Sequence, residues 1–274
     1  MKEDYHSSTI QRALDILNLF KDQPSLSFSD IQRISGFNKA TLYRVISTLH
    51  DNKYLRKDER GGRYELGINV FILGNQILKE SPLISVSTPF MNELSKNLGL
   101  TTLLGILDGM NIVIIQKTDP NRLMQMVCHV GGSIPVHCTA QGKVLLAYSS
   151  KETTQKVIDV HGLQRYTPHT ICTTEAFLVE LEAVRTHGYA VDNGEHEKNV
   201  CCIGAPILDK TGRIEAALSI TGTIIDLPDE ETIKKTANIL IEVRDKIRKE
   251  LGYLETSPPR VQKQNDSFRD IPHK

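Results

Sequence analysis

Between Phe37 and Leu49 the apolar residues follow the spacing of a helix, and from Tyr54 the chain changes to short alternating runs. Asn38 is a favourable N-cap, and the apolar stripe that follows it consists of Leu42, Val45, Ile46 and Leu49. The stripe predicts one amphipathic helix that ends near Asp51. The alternating runs predict a β-hairpin with strands at Tyr54–Leu55 and Arg63–Leu66 and a turn at Glu59–Gly62.

Two more helices are predicted upstream of this helix and hairpin. The first covers Ser8–Phe20, with an apolar stripe at Ile10, Leu14, Leu17 and Phe20. Ser29 is expected to cap a short helix that carries Ile31, and Gly36 supplies the tight turn into the amphipathic helix. This order of elements is typical of a winged helix-turn-helix, in which the second helix of the pair enters the major groove of DNA. The sequence therefore predicts a DNA-binding domain over residues 7–66.

The amphipathic helix and the hairpin carry an excess of positive charge. From Lys39 to Arg63 there are seven Lys and Arg residues against three acidic residues, a local balance of +4 in a chain of net charge zero. We expect Thr41, Tyr43 and Arg44, near the start of the helix, to contact bases or phosphates and the other basic residues to contact phosphates. The predicted DNA contacts are Arg12, Lys39, Thr41, Tyr43, Arg44, Arg60 and Arg63. A solvated helix with an exposed hairpin is the alternative, and charge alone does not exclude it.

The rest of the chain predicts a linker helix over residues 67–81, a second domain over 82–254 and a disordered tail over 255–274. The linker helix is apolar on more than one side, which suits packing against a partner chain. Beyond Gly99 the alternation of strands dominates, and Asp108-Gly109 is a hairpin signal. Strands are predicted at Thr101–Leu107, Ile112–Thr118, Leu123–Val130, Tyr189–Asn193, Cys201–Leu208 and Ile214–Thr223. Helices are predicted at Ile84–Asn97, Ala140–Ser149, Thr153–Val160, Thr174–His187 and Glu230–Leu251.

Composition limits the classes of protein that fit this pattern. No run of 18 or more apolar residues is present, so no membrane span is expected, and the segment MKEDYHSST lacks the apolar core of a signal peptide. The five cysteines form no CxxC pair. We therefore expect reduced thiols in a cytoplasmic protein.

Three segments closely resemble the IclR family of bacterial transcriptional regulators: TIQRALDIL at 9–17, PVHCTAQGKVLLA at 135–147, and the long stretch at 173–222 that begins TTEAFLVELEAVRTHGYAVD and ends AALSITG. The likeness extends over about residues 8–253. It implies an α+β protein with a winged helix-turn-helix, a linker helix and a GAF-like α/β effector-binding domain with an antiparallel-rich sheet. It also implies a homodimer on a pseudo-palindromic operator, often paired into tetramers. No cofactor is implied.

The resemblance also implies where a small carboxylate effector binds. Family members offer backbone N–H groups to the carboxylate at a helix start that corresponds to Ala140 and Gln141. The family also uses an acidic residue, a cysteine and two serines on the last strand. These correspond to Asp192, Cys202, Ser219 and Thr221, so the second serine is a threonine in this chain. The apolar side of the site corresponds to Met126, Ile134 and Val200. The physical chemistry agrees, because N–H groups in the first turn of a helix lack intrahelical partners and residues two apart in a strand face one side. A hydroxy acid, keto acid or sugar acid fits such a set of hydroxyl groups.

Two other functions use the same residues. A metal sensor would bind its ion through His129, His137, Cys138, Asp192 and Cys202, although the spacing of these residues matches no closed tetrahedral zinc signature. A cysteine-dependent enzyme would use Cys138 or Cys202 as the nucleophile, His137 or His196 as the base and Asp192 to orient that base. An enzyme of this kind would leave the DNA-binding half without a role.

Overall fold

The computed structural model describes residues 7–21, 23–58, 61–121 and 128–253. The chain divides into two compact units, Met1–Ser81 and Pro82–Lys274. Among the helices that lie in the described ranges, none has both the length and the hydrophobicity needed to cross a bilayer.

The first unit consists of helices and one small hairpin. Its elements are α1 (Ser8–Asn18), a short 3₁₀ turn (Leu19–Lys21), α2 (Phe28–Ser35), α3 (Lys39–Asp51), β1 (Leu55–Lys57), β2 (Tyr64–Leu66) and α4 (Ile68–Glu80). The two strands are antiparallel, and Leu26 forms an additional bridge to Tyr64. This arrangement confirms the predicted winged helix-turn-helix. The helix α4 occupies most of the segment predicted as a linker helix.

The predicted N-cap is confirmed for α3 but is wrong for α2. Asn38 caps α3 as predicted, because its side chain accepts a hydrogen bond from the Thr41 N–H at 2.9 Å. The cap of α2 is Ser27, so the prediction of Ser29 was wrong by two residues. Ser27 and Asp30 form a capping box in which each side chain binds the other residue's backbone N–H. Gly36 ends α2 in the left-handed conformation, with a φ of 69°.

The core of the first unit fixes which face of α3 is exposed. The buried apolar residues come from α1, α2, α3 and β1, and they are Ile16, Phe20, Leu26, Ile31, Leu42, Val45, Ile46, Leu49 and Leu55. All four residues of the predicted α3 stripe belong to this set. The opposite side of α3 therefore faces solvent.

The second unit is an antiparallel sheet with helices on both faces. Its strands are β3 (Thr101–Asp108), β4 (Asn111–Thr118), β5 (Ser133–Pro135), β6 (Ala190–Asn193), β7 (Val200–Leu208) and β8 (Ile214–Thr223), in the spatial order β5-β4-β3-β8-β7-β6. Helices α5 (Pro82–Leu98) and α9 (Glu230–Glu250) pack on one face. Helix α6 (Ala140–Ala147) packs on the other face, beneath α7 (Lys151–His161) and α8 (Thr174–His187). The α+β class is confirmed.

The edge strand β5 differs from the strand predicted at Leu123–Val130. Residues 122–127 lie outside the described part of the chain, and Cys128–Val130 form no strand. The strand that pairs with β4 is Ser133–Pro135, in which Ile134 lies opposite Ile112. The end of the apolar run was therefore assigned to a strand wrongly, because a short apolar segment also suits a loop that packs on a sheet. The predicted tail at 255–274 lies outside the described residues.

Candidate functional site

The outer face of α3 presents the side chains predicted to contact DNA. Lys39, Tyr43 and Arg44 are exposed, and Tyr43 keeps 67% of its surface accessible. An aromatic side chain this exposed on a helix with a well-filled buried stripe contributes little to the fold. Thr41 is half-buried, and its backbone N–H is used by the Asn38 cap. The cap and the buried stripe together fix the orientation of this face.

A groove between α1 and α3 brings three of the predicted contacts together. It encloses about 230 Å³ and is lined by Thr9, Arg12, Ala13, Thr41, Arg44, Val45, Thr48 and Leu49. The Arg12 guanidinium also lies 5.9 Å from the centroid of the Phe37 ring, which holds it near the start of α3. Two guanidinium groups on one groove suit the phosphate backbone that borders a major groove.

Two arginines of the β1–β2 hairpin, Arg60 and Arg63, were predicted to contact phosphates. Arg60 lies outside the described residues. Arg63 donates from Nε to the Ser25 hydroxyl at 3.1 Å and from its terminal nitrogen to the Ser25 carbonyl at 2.9 Å. It also lies 3.7 Å from the Asp30 carboxylate. Arg63 therefore ties the hairpin to the start of α2, a structural role that its position in the sequence did not reveal.

In the second unit, the start of α6 lies against the sheet at Gly204. A Cβ atom at Gly204 would lie 2.9 Å from the carbonyl carbon and oxygen of Ala140 and 3.2 Å from the Gln141 nitrogen. Only glycine allows this approach. Thr139 is the N-cap, and its hydroxyl accepts from the Gly142 N–H at 3.3 Å. The N–H groups of Ala140 and Gln141 precede the first possible intrahelical hydrogen bond, so they are available to an anion.

The Gln141 side chain fixes this helix start to the sheet. The residue is 2% exposed, and its Nε2 donates to the carbonyls of Leu103 at 3.2 Å and Ala217 at 3.0 Å. Its Oε1 is buried with no hydrogen-bond partner among the described residues. Gln141 was predicted to act through its backbone, and the structure adds this positioning role for the side chain. Its partners lie far away in the sequence, so no local pattern could have revealed it.

Opposite the helix start, three predicted residues form a row across adjacent strands. Asp192 pairs with Cys202, and Cys202 pairs with Thr221, so all three side chains lie on the α6 side of the sheet. Ser219 is paired with Gly204 in the neighbouring row and is 1% exposed.

The predicted apolar positions have separate placements. Val200 is half-buried on β7, two residues before Cys202 and therefore on the same face. Ile134 is half-buried on β5 and packs against the core on the α6 side. Met126 lies outside the described residues. The structure thus places seven of the nine predicted effector contacts on α6 and the strands β6, β7 and β8, namely Ala140, Gln141, Asp192, Val200, Cys202, Ser219 and Thr221.

A buried charge network lies directly behind this site. Lys143 is 1% exposed, and its ammonium group donates to Glu180 at 2.8 Å, to Glu195 at 2.6 Å and to the Val191 carbonyl. The other carboxylate oxygen of Glu195 is buried without a partner among the described residues. Asp192 is 2% exposed and accepts from the Glu195 N–H at 2.7 Å. Burial is the main reason that the pKa of Asp192 is raised to about 7. Asp192 is therefore partly protonated at neutral pH.

The same geometry bears on the enzyme and metal alternatives. Burial raises the pKa of Cys138 to about 12 and the pKa of Cys202 well above its usual value, so both thiols stay protonated and are poor nucleophiles. His137 is bound through Nε2 to the Gln164 carbonyl at 2.8 Å. Within the described ranges, no three His, Cys, Asp or Glu side chains are arranged to hold a metal ion.

Comparison with known proteins decides the class of protein. Residues 9–59 match the model of the IclR helix-turn-helix domain, and residues 75–249 match the model of the bacterial transcriptional regulator IclR C-terminal domain. The chain belongs to the IclR family of transcriptional regulators. This IclR-family protein is therefore a DNA-binding regulator rather than an enzyme.

Individual relatives cover nearly the whole chain. It is 31% identical to the HTH-type transcriptional regulator XynR of Escherichia coli over 246 residues, which are 89% of this chain and 97% of XynR. It is also 31% identical to KdgR of Dickeya chrysanthemi, over 90% of this chain and 80% of KdgR.

Solved structures agree with this assignment. The Thermotoga maritima IclR has a TM-score of 0.72 at 28% identity, over 90% of this chain and all of that one. An IclR homologue from Microbacterium hydrocarbonoxydans, complexed with 4-hydroxybenzoate, has a TM-score of 0.79 at 25% identity, over 89% of this chain and 99% of that one.

Proposed function

We propose that this regulator binds a small organic acid between the start of α6 and the strands β7 and β8, and that the bound acid changes its affinity for operator DNA. The observation that carries the proposal is the approach of α6 to Gly204, which brings the first turn of the helix, with the Gln141 nitrogen, against β7 where Gly204 is paired with Ser219. Two N–H donors at a helix start bind a carboxylate. The ligand in the complex of the Microbacterium homologue, 4-hydroxybenzoate, is also a carboxylate with a hydroxyl group.

The polar groups around the helix start favour an acid that also carries hydroxyl or keto oxygens. Ser219 and Thr221 both lie on the α6 side of β8 and can donate to such an oxygen. When it is ionised, Asp192 accepts a hydrogen bond from a ligand hydroxyl and repels the ligand's carboxylate. The carboxylate is therefore proposed to lie at the start of α6. A hydroxy acid, keto acid or sugar acid satisfies all of these groups. Val200 and Ile134, together with Met126, supply the apolar side in this proposal.

The regulator is proposed to act as a homodimer, with pairing into tetramers, in the cytoplasm. The first unit exposes large apolar side chains on α1 and α4, namely Ile10, Leu14, Ile68, Phe71, Ile72, Leu73, Ile77 and Leu78. An apolar surface of this kind on a lone unit is expected to be covered by a partner. A two-fold dimer places two α3 helices in successive major grooves, so the operator is pseudo-palindromic, with half-sites about 34 Å apart or a multiple of that spacing.

The proposed contacts with DNA are tested by the salt dependence of the protein's affinity for DNA. Arg44→Ala removes a guanidinium from the groove between α1 and α3 and should lower affinity for all duplexes alike. It should also flatten the slope of log K against log salt by about one unit for each lost phosphate contact. The measurement is fluorescence anisotropy with a duplex selected from random sequence by the wild-type protein. Lys21→Ala, an exposed cation outside the predicted interface, is the control. If the slope were unchanged in Arg44→Ala, Arg44 would not be part of the interface with DNA.

A further inference from the structure

The start of α4 is bound to the end of α3 by three hydrogen bonds. The Gly67 N–H donates to the Tyr54 carbonyl at 2.8 Å, and the Asn69 N–H donates to the Lys53 carbonyl at 3.1 Å. The Asn69 side chain adds the third bond, in which Nδ2 donates to the Asn52 carbonyl at 2.8 Å. Three consecutive carbonyls that follow α3 therefore accept hydrogen bonds from the start of α4.

The backbone at this junction has an unusual conformation. Lys53 has a φ of 59°, and within the described ranges it is the only residue other than glycine with a positive φ. A left-handed conformation costs free energy for a residue with a side chain, and it persists where the surrounding structure requires it. A Cβ atom at Gly67 would overlap the Lys53 carbonyl oxygen, so the close approach of the two segments requires glycine at that position.

Beyond its first turn, α4 is not packed into the first unit. None of its 13 residues is buried, and Phe71 and Ile77 keep 66% and 71% of their surface accessible. In the proposed homodimer the partner chain covers this apolar side. The junction then connects the dimer contact of α4 to α3, the helix proposed to enter the major groove.

We infer that Asn69 is a specificity-determining residue, which holds α3 and α4 together and thereby fixes the spacing of the operator half-sites that the regulator accepts. This inference rests on the proposed function, because it needs a dimer on a paired operator. One base pair added between the half-sites separates them by about 3.4 Å more and rotates one against the other by about 35°. The dimer follows that change by shifting α3 relative to α4, and the bond from Asn69 to the Asn52 carbonyl opposes the shift.

Two substitutions at Asn69 separate this role from a general loss of stability. Asn69→Ala removes the side-chain donor and leaves the backbone bonds of the junction in place. Asn69→Asp keeps the size of the side chain and puts a negative charge in the first turn of α4, where the helix dipole favours it, but its carboxylate cannot donate. The matched control is Asn52→Ala. It removes a side-chain bond of the same length, 2.8 Å, to the Thr48 carbonyl within the end of α3.

The test measures how strictly the full-length protein distinguishes half-site spacings. The probe is a duplex with paired half-sites that the wild-type protein selects from random sequence, together with copies whose spacer is one base pair longer or shorter. Fluorescence anisotropy gives a dissociation constant for each duplex, and the ratio of the shifted to the original value measures the discrimination. Partial unfolding weakens binding to every duplex alike, so it leaves this ratio unchanged.

The wild type and Asn52→Ala should bind both shifted duplexes more weakly than the original, with the same ratio. Asn69→Ala and Asn69→Asp should lower that ratio by about 3- to 10-fold, because a hydrogen bond that a shifted duplex would break is already absent. A wild-type ratio near one, a wild-type ratio retained by both Asn69 variants, or an equal decrease in Asn52→Ala would overturn the inference. Failure of the proposed function is a different result, in which the wild type selects no paired half-sites or binds one half-site as tightly as two; that result would overturn both.

Discussion

Replacing Gly204 by alanine should disable effector binding while leaving the fold largely intact. The new Cβ atom would lie 2.9 Å from two backbone atoms of Ala140, whereas ordinary contacts begin at 3.4 Å. The first turn of α6 must therefore move by about the difference, 0.5 Å, away from β7. Backbone atoms cannot rotate out of the way as a side chain can. Overpacking of this size costs about 1–3 kcal/mol of unfolding free energy.

The effect on the ligand follows from the same displacement. The N–H groups of Ala140 and Gln141 move with the helix, and charge-assisted hydrogen bonds to a carboxylate each contribute about 1.5–3 kcal/mol. Losing one of them corresponds to a loss of about 10- to 150-fold in affinity. The assay is calorimetric titration with the tightest-binding acid, together with urea denaturation.

The control for this prediction is Ala205→Gly, on the opposite face of the same strand. Ala205 is fully buried in the core against α9, so its loss costs about 1 kcal/mol or more of stability without moving α6. The control should retain the wild-type affinity for the acid. If Gly204→Ala also retained it, the carboxylate would not lie at the start of α6.

The remaining predictions concern the buried charges. Lys143→Met should cost about 3–5 kcal/mol in urea denaturation because it leaves Glu195 charged and unpaired, and adding Glu195→Gln should recover part of that loss. Asp192→Asn should make stability less dependent on pH. The raised pKa of Asp192 stabilises the fold fully below about pH 4, the unfolded value, and this contribution is lost as the pH rises through about 7. Relative to the wild type, Asp192→Asn should therefore gain stability between about pH 4 and about pH 7 and keep a constant advantage above that; a constant difference between pH 4 and pH 7 would contradict the assigned titration.

Local signals predicted the first unit well because each acts within a few residues. Asn38 caps α3, and the apolar stripe of that helix is buried as its spacing requires. The error at the start of α2 has a physical reason. Ser27 is followed after three residues by Asp30, and Ser29 by Gln32, so both serines fit a capping box. In the structure the cap at Ser27 is accompanied by the β-bridge between Leu26 and Tyr64. This tertiary contact could not be read from the sequence.

The candidate effector site was only partly predictable. Strand alternation placed Ser219 and Thr221 on one face, and the observed register brings Cys202 and Asp192 beside Thr221. The roles of these residues came from family resemblance and remain predictions. A lysine within a helix normally indicates an exposed position, so the burial of Lys143 could not be foreseen. Its partners Glu180 and Glu195 are 37 and 52 residues away.

The central claim is that an organic acid bound at α6 controls binding to DNA. Its most direct test is to measure operator affinity by fluorescence anisotropy while titrating gluconate, for the wild type and for the Ser219→Ala/Thr221→Val variant. The acid should change the wild-type affinity by about 5- to 150-fold, the range of typical allosteric coupling. The variant should bind the operator normally without acid and require a higher acid concentration for the same change. An operator affinity that does not respond to the acid, or an equal response from both proteins, would contradict the account.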